Sequence, residues 1–430
     1  MQNTGHMIDM DLIKNHPKEV EDNNRKRGKS LDLKQAQKLM TDRSKCLAVA
    51  ESLRAQANEI AARMPKLSKD ERTGAIEEGK RLKDKIKTAQ AEVEAAERVL
   101  EAELRQYPNM LRPDVPEGKD ESANIVLKTV GEPTKFLFEP KDHLALGEAL
   151  GIIDVERAAK VSGARFAYLK GDLVLLEFAL IQYALAILVP EGFTPVFPPQ
   201  LIAREAMSKM GYLEHGGEEE IYHLKNDDMV LIGTSEQALG PMMMDEVLPE
   251  RTLPQRFAGF SACFRREAGS HGRDVHGILR MHQFNKMEMF SFVSAEGSDT
   301  EHEFLLSLQE RFMQGLKLPY RVVKLCSGDT GAPSARTYDI ETWMPSQDRY
   351  RETHSTSNTT DYQTRRLKVR IKTKKGNEFS HALNGTVFAE RILIALLENF
   401  QQEDGSVIVP DVLRGYMNKD KIEMLSTLKC

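Results

Sequence analysis

The chain has 430 residues, 40% of them hydrophobic, with a formal net charge of -5 and a sequence pI near 6.2. That composition supplies a large core and fits two or three domains, while the mild negative charge excludes a protein that coats nucleic acid through overall positive charge. Cys46, Cys263, Cys326 and Cys430 stand apart without a C-x-x-C pair, which disfavours a disulfide scaffold and a zinc site, and no apolar run is long enough to span a bilayer.

The first element in chain order is a pair of helices. Ala36, Arg43, Ala50, Ala57 and Met64 recur every seven residues, with Leu39, Cys46, Leu53, Ile60 and Leu67 three positions later, as in a coiled-coil seam. Pro65-Lys66-Leu67-Ser68-Lys69-Asp70 breaks the pattern, and Leu82, Ile86, Ala89, Val93, Ala96 and Leu100 resume it as far as Tyr107-Pro108. Two long antiparallel helices joined by a tight turn are expected. Most such heptads serve dimerisation or spacing. Here, however, residues 1–107 carry more lysine and arginine than acid, whereas the remainder is acidic. That local balance admits phosphate contacts along the outside of an RNA helix.

Pro108, Pro113 and Pro116 mark a linker, after which one α+β domain is expected. Residues 174–188 read as an apolar helix, and residues 193–199, 229–233, 258–264 and 287–293 as strands. Regular βαβ alternation is missing, which favours a largely antiparallel sheet over a Rossmann-type fold.

Four strings in this domain carry chemistry. Thr234 and Glu236, two apart on an expected extended segment, would share a face and could meet an α-amino group or another small polar substrate. Phe264-Arg265-Arg266-Glu267 and the stretch from Arg280 to Glu288 predict a hairpin. In it Arg265 can grip a phosphate, Glu267 can accept from an exocyclic amine, and Arg280, Phe284 and Glu288 would line one face, with the phenylalanine offered to a purine. Glu352-Thr353-His354-Ser355 offers oxygen ligands of the kind that suit magnesium bound mainly through nucleotide phosphates and water. Asn384-Gly385-Thr386 reads as a glycine turn feeding a helix that begins near Arg391. Each string alone also fits a solvated strand end or a salt-bridged ribbon; their order carries the argument.

Taken in that order, the arm and the four strings resemble the seryl-tRNA synthetases, class II aminoacyl-tRNA synthetases, and Gly328-Asp329-Thr330-Gly331-Ala332-Pro333 helps extend the resemblance over nearly the whole chain. It implies an α+β catalytic domain, an antiparallel sheet ringed by helices, over residues 126–430. A tRNA-gripping coiled-coil hairpin over 1–108 and a linker over 109–125 would precede it. The implied reaction joins L-serine to ATP as seryl-adenylate, releases pyrophosphate, and passes serine to the terminal adenosine of tRNA(Ser), with tRNA(Sec) as a further acceptor. By the same resemblance Thr234, Glu236, Glu288, Asn384 and Thr386 bind serine. Arg265, Arg266, Glu267, Arg280, Phe284, Glu352, Thr353, His354, Ser355 and Arg391 bind ATP, and Glu352 and Ser355 hold Mg²⁺. Arg265, Arg391 and Glu352 are the catalytic set. A cytoplasmic homodimer, paired through residues 180–199, completes what is implied, and no zinc is expected. The third motif departs from the family pattern: it is one residue shorter before Arg391, and Glu390 stands where glycine or proline is commoner. Two alternatives keep the same motifs. One is a catalytically weak relative acting as a tRNA-binding or regulatory module, and the other is a ligase that charges a carrier protein, which the intact arm disfavours.

Overall fold

The computed structural model describes residues 8–214, 216–268 and 277–424, so residues 269–272 of the expected hairpin and Cys430 lie outside the described residues. The chain divides into two compact units, His6–Pro108 and, apart from the first five residues, Asn109–Cys430.

The smaller unit is built on helices α1 (Leu33–Arg63) and α2 (Lys69–Leu104), joined through a single 3-10 turn at Met64–Lys66. Asp32 caps α1 by accepting from the Lys34 N–H, and Ser68 and Glu71 form a reciprocal capping box on α2, devices worth roughly 1 kcal/mol each. The heptad residues Ala36, Ala50, Ile60, Leu82, Ala89, Val93 and Leu100 are buried. Arg43 occupies a seam position that would ordinarily be apolar, and it is accommodated by pairing with Glu97 of the other helix at 2.8 Å. Arg54 bonds to Gln90 in the same way, so rising numbers on one helix meet falling numbers on the other, and the pair is antiparallel.

The larger unit is organised by an eight-stranded sheet. Its strands are β1 (Ile125–Val130), β2 (Phe193–Val196), β3 (Gln255–Phe264), β4 (Gln283–Val293), β5 (Tyr320–Lys324), β6 (Arg336–Met344), β7 (Arg349–Thr360) and β8 (His381–Ala389). They lie in the order β1-β5-β6-β7-β8-β4-β3-β2, antiparallel throughout except for the parallel pair β2 and β3. Helices α3 (Asp172–Leu188), α4 (Ser298–Leu316) and α5 (Arg391–Asn399) pack on this sheet. Leu176, Leu180, Leu305, Phe312 and Leu393 share a core with Met287, Met289 and Leu383 of the strands. Residues 109–124 also pack on this unit: the Asn109 side chain donates to the Pro333 and Thr359 carbonyls, and the Gly118 N–H donates to Ser327 Oγ.

Three local expectations are corrected. Asn384, Gly385 and Thr386 form no turn but lie inside β8, where a Cβ on Gly385 would come within 3.0 Å of Thr356 Oγ1 and 3.1 Å of Met289 Cε; the glycine serves close packing. Arg280 precedes β4 and is not on it. Glu236 opens a short helix, Glu236–Leu239, and does not continue the strand Met229–Leu231.

Candidate active site

A cavity of about 650 Å³ lies over β3, β4, β7 and β8, on the sheet face opposite the helix-packed core. The pleat decides what lines it. Phe284, Lys286 and Glu288 alternate with Met287 and Met289, so the first three face the cavity while the methionines face the core. Thr386 pairs with Glu288 across the sheet, and Asn384 follows on the same side. Two register shifts extend the set. One, between Thr386 and Phe388, brings Ala389 onto the cavity side; the other, around Thr353, puts Glu352 on the same side as Ser355, which a spacing of three on a regular strand would forbid.

At the buried end, Glu288 Oε2 accepts from Lys286 Nζ at 2.5 Å and from Thr386 Oγ1 at 3.3 Å. Lys286 Nζ also donates to Thr234 Oγ1 at 3.3 Å. Glu236 accepts from Gln363 Nε2 at 3.0 Å and from the Tyr212 hydroxyl. Burial raises the carboxyl of Glu236 above its ordinary value and the nearby charge of Glu288 adds to the effect; burial also raises Glu288, against the pull of Lys286. Two buried carboxyls with one lysine between them leave this end short of positive charge. It therefore suits a small ligand that carries an ammonium group and a hydroxyl.

At the other end, Arg265 Nε donates to the Gly233 carbonyl at 3.1 Å and its guanidinium lies 5.2 Å from the Phe284 ring centre. The Arg265 N–H donates to the His282 carbonyl, one step past the strand ends, and the His282 ring donates from Nδ1 to the Arg265 carbonyl. Glu267 adopts φ 51°, an uncommon left-handed conformation for a glutamate. Arg280 holds its carboxylate at 3.2 Å and Arg165 its carbonyl at 3.1 Å. Arg391 donates to the Glu352 carbonyl and lies 3.6 Å from its carboxylate. The pairing of β8 with β4 is irregular at Val387, Glu390 takes the capping position of α5, and Arg391, the first residue of that helix, lines the cavity.

The structure therefore brings Thr234, Glu236, Arg265, Glu267, Arg280, Phe284, Glu288, Glu352, Thr353, Ser355, Asn384, Thr386 and Arg391 to one cavity. Two expected residues are placed elsewhere. The Arg266 side chain lines a separate shallow cleft with Arg204 and His223. His354 is buried in the core, its Nε2 donating to the Val387 carbonyl and its Nδ1 facing Thr353 Oγ1, so its ring does not reach the cavity. Sequence reasoning missed Lys286, although its parity with Phe284 and Glu288 was a signal. It also missed Tyr212 and Gln363, which reach the site from distant segments that carry no local mark.

The donor set also bears on a metal. Beside Glu352 and Ser355, the Asp339 carboxyl is buried and raised well above its ordinary value, by burial first and by the charge of Glu352 second, and its Oδ1 has no partner. An orphaned buried oxygen next to a half-exposed carboxylate fits a cation. Among the described residues no group of three or more histidine, cysteine or acidic side chains could hold a metal, so the rest of its coordination would come from phosphates and water.

Comparison with known proteins bears on the family of the chain. Residues 221–400 match the family model described as the tRNA synthetase class II core domain (G, H, P, S and T), and residues 7–111 match the seryl-tRNA synthetase N-terminal domain. The chain is 44% identical over 417 residues to a serine–tRNA ligase of Acidothermus cellulolyticus, covering 96% of this chain and 99% of the relative. Against that of Thermobifida fusca it is 43% identical over 423 residues, covering 98% and 100%. Among solved structures, the seryl-tRNA synthetase of Pyrococcus horikoshii complexed with ATP superposes with TM-score 0.87 at 36% identity, covering 97% of this chain and 100% of that one. The cytoplasmic serine–tRNA ligase of Naegleria fowleri in complex with AMP gives 0.83 at 29% identity, covering 97% and 99%.

Proposed function

The chain belongs to the seryl-tRNA synthetase family, and from that premise we propose how its own residues carry out the reaction of an ATP-dependent serine–tRNA ligase. The enzyme activates L-serine with ATP and transfers the serine to tRNA. The observation that carries the assignment of roles is the shared face of β4 and β8: Glu288 and Thr386 at the buried end lie on the same side of the sheet as Phe284, with Arg265 and Arg391 at the other end of one cavity.

In this reading the serine ammonium meets Glu236 and Thr234, and its arrival supplies the positive charge that two buried carboxyls lack. The serine hydroxyl bonds with Glu288 and Thr386, and Asn384 lines the same pocket. Alanine brings no hydroxyl to bond with Glu288 and Thr386, and a missing hydroxyl in a site built to bond one costs up to roughly 10⁴-fold. Adenine stacks on Phe284, from which the Arg265 guanidinium swings toward the α-phosphate, and its amino group donates to Glu267, held by Arg280. Arg391 takes the terminal phosphates. The serine carboxylate then attacks the α-phosphorus in line, pyrophosphate leaves, and the acyl group passes to the terminal adenosine of tRNA. No side chain forms a covalent bond; positioning and stabilisation of phosphate charge do the chemistry. Glu352 and Ser355, with Asp339 behind them, would hold Mg²⁺, which neutralises phosphate charge when bound.

The arm over residues 1–108 is proposed to grip the variable arm of tRNA(Ser), and of tRNA(Sec) as a second acceptor, with the segment 109–125 connecting it to the catalytic domain over residues 126–430. The protein is proposed to work in the cytoplasm as a homodimer; the dimer is supported by an apolar surface on and after α3, where Leu175, Phe178, Val189 and Phe197 are exposed, and a monomer mass in light scattering would rule the dimer out. The central test is ATP–pyrophosphate exchange with each amino acid in turn, followed by charging of both tRNAs. Exchange with serine alone and charging of tRNA(Ser) are expected. A folded protein without serine-dependent exchange would overturn the assignment of these roles.

A further inference from the structure

Glu390 is the residue the family pattern does not supply, and its surroundings give it a task. It sits at the capping position of α5, directly before Arg391, and is 5% exposed. Its backbone N–H donates to the Asn285 carbonyl at 3.3 Å, and its Oε1 accepts from the Asn285 N–H at 2.8 Å. A two-point clasp thus ties the start of α5 to β4, one residue from Phe284. The Asn285 side-chain amide donates in turn to Glu177 of α3 at 2.7 Å. Glu390 Oε2 is buried without a partner.

Among the described residues, no cation is paired with either carboxyl of this network. Lys286, next to Asn285, is committed to Glu288, and Arg391 is turned to Glu352. Among the described residues, the ionisable group that acts on Glu390 is Glu177, itself buried, and the hydrogen-bond partner across to β4 is Asn285. Two buried carboxyls that share one amide residue and have no counter-ion cannot both be charged at low cost. Burial raises the Glu390 carboxyl to about 8, with the Glu177 charge the second cause.

We propose that Glu390 is a positioning residue for ATP: as a neutral acid it fastens the start of α5 to the adenine-bearing strand and so fixes where Arg391 meets the terminal phosphates. Loss of its proton would place a second buried negative charge beside Glu177, loosen the clasp and let Arg391 drift. The family arginine is reached here through one residue fewer, and the clasp provides the rigidity that the shortened turn must supply. This inference rests on the reading of Arg391 as a phosphate ligand.

Steady-state pyrophosphate exchange with the full-length protein tests it, with KM for ATP, KM for serine and kcat measured between about pH 7 and pH 9. The wild type should show KM for ATP rising above about pH 8 while KM for serine stays level. Glu390→Ala should raise KM for ATP about tenfold at neutral pH with kcat changed less, as expected when a binding group is misplaced. Glu390→Gln, isosteric and permanently neutral, should restore the wild-type KM and abolish its alkaline rise. A flat wild-type profile, or the same alkaline rise in Glu390→Gln, overturns the proposal, and both readings remain available if the alanine variant fails to fold. Arg391→Ala separates the two levels. If it raises KM for ATP while Glu390→Ala does not, the positioning role alone falls; if Arg391→Ala leaves KM for ATP unchanged, the phosphate role of Arg391 falls with it.

Discussion

Arg265 donates a hydrogen bond to the Gly233 carbonyl and lies over the face of Phe284, contacts that a nucleotide bound as proposed would have to displace. Because the ring that would take adenine already carries the guanidinium, nucleotide entry and arginine movement are linked at a single residue pair. Arg265→Ala is expected to lower serine-dependent pyrophosphate exchange by roughly 10²-fold to 10³-fold, the usual loss for one preorganised charge donor, while tRNA binding measured by filter retention stays within about twofold. Retained exchange would remove Arg265 from the phosphate site. At this scale the sequence was informative about residue types and weaker about direction. Arginine, glutamate and phenylalanine pointed to a nucleotide as the expected ligand, yet nothing local distinguished Arg265, which faces the cavity, from Arg266, which lines another cleft.

Elements show why. The spacing rule for strands identified Phe284 and Glu288 as neighbours on one face, and it would have added Lys286. It failed for Glu352 with Ser355, whose common side depends on a register shift against β6, and for Arg280, which is not on the strand. Two buried histidines tie these elements together. His302 of α4 faces the Thr356 carbonyl of β7 with Nε2 and accepts from Arg336 with Nδ1, while His354 of β7 satisfies the carbonyl of Val387 at the irregular pairing of β8. Burial lowers them to about 3 and about 4 respectively, so both are neutral in the fold. Because each folded value lies below the unfolded one near 6.5, stability is fully present above about pH 6.5 and is lost as pH falls toward 4. Each histidine contributes a slope of up to about 1.4 kcal/mol per pH unit in that window. The raised carboxyls of Glu390 and Asp339 act in the opposite sense over the same range, so the histidine contribution is read as a difference between proteins: in urea unfolding between about pH 7 and pH 5, the slope of stability against pH for His354→Gln should differ from that of the wild type by up to about 1.4 kcal/mol per pH unit, in the direction of less stability lost on acidification. An unchanged slope would mean that His354 is charged in the fold.

For the molecule as a whole, two compact units divide the work proposed for it. Deleting residues 33–104 is expected to leave serine-dependent exchange within about threefold and to reduce charging of tRNA(Ser) by about 10²-fold or more, with the remaining charging less sensitive to salt because phosphate contacts are lost. Undiminished charging would end the assignment of the arm to RNA. The arm was the most legible part of the chain, since heptad spacing and the break at Pro65–Asp70 are local codes that need no distant partner. The apolar helix α3 and the antiparallel character of the sheet were also carried by composition and pattern alone. What the sequence could not determine is which side chains share the cavity. That depends on strand register, on two irregular pairings, and on Tyr212 and Gln363 arriving from segments far away in the chain. The reason is physical: a strand's two faces are equivalent until its neighbours fix the register. A buried carboxyl likewise has no defined charge until the fold decides which donors, and which other carboxyls, surround it.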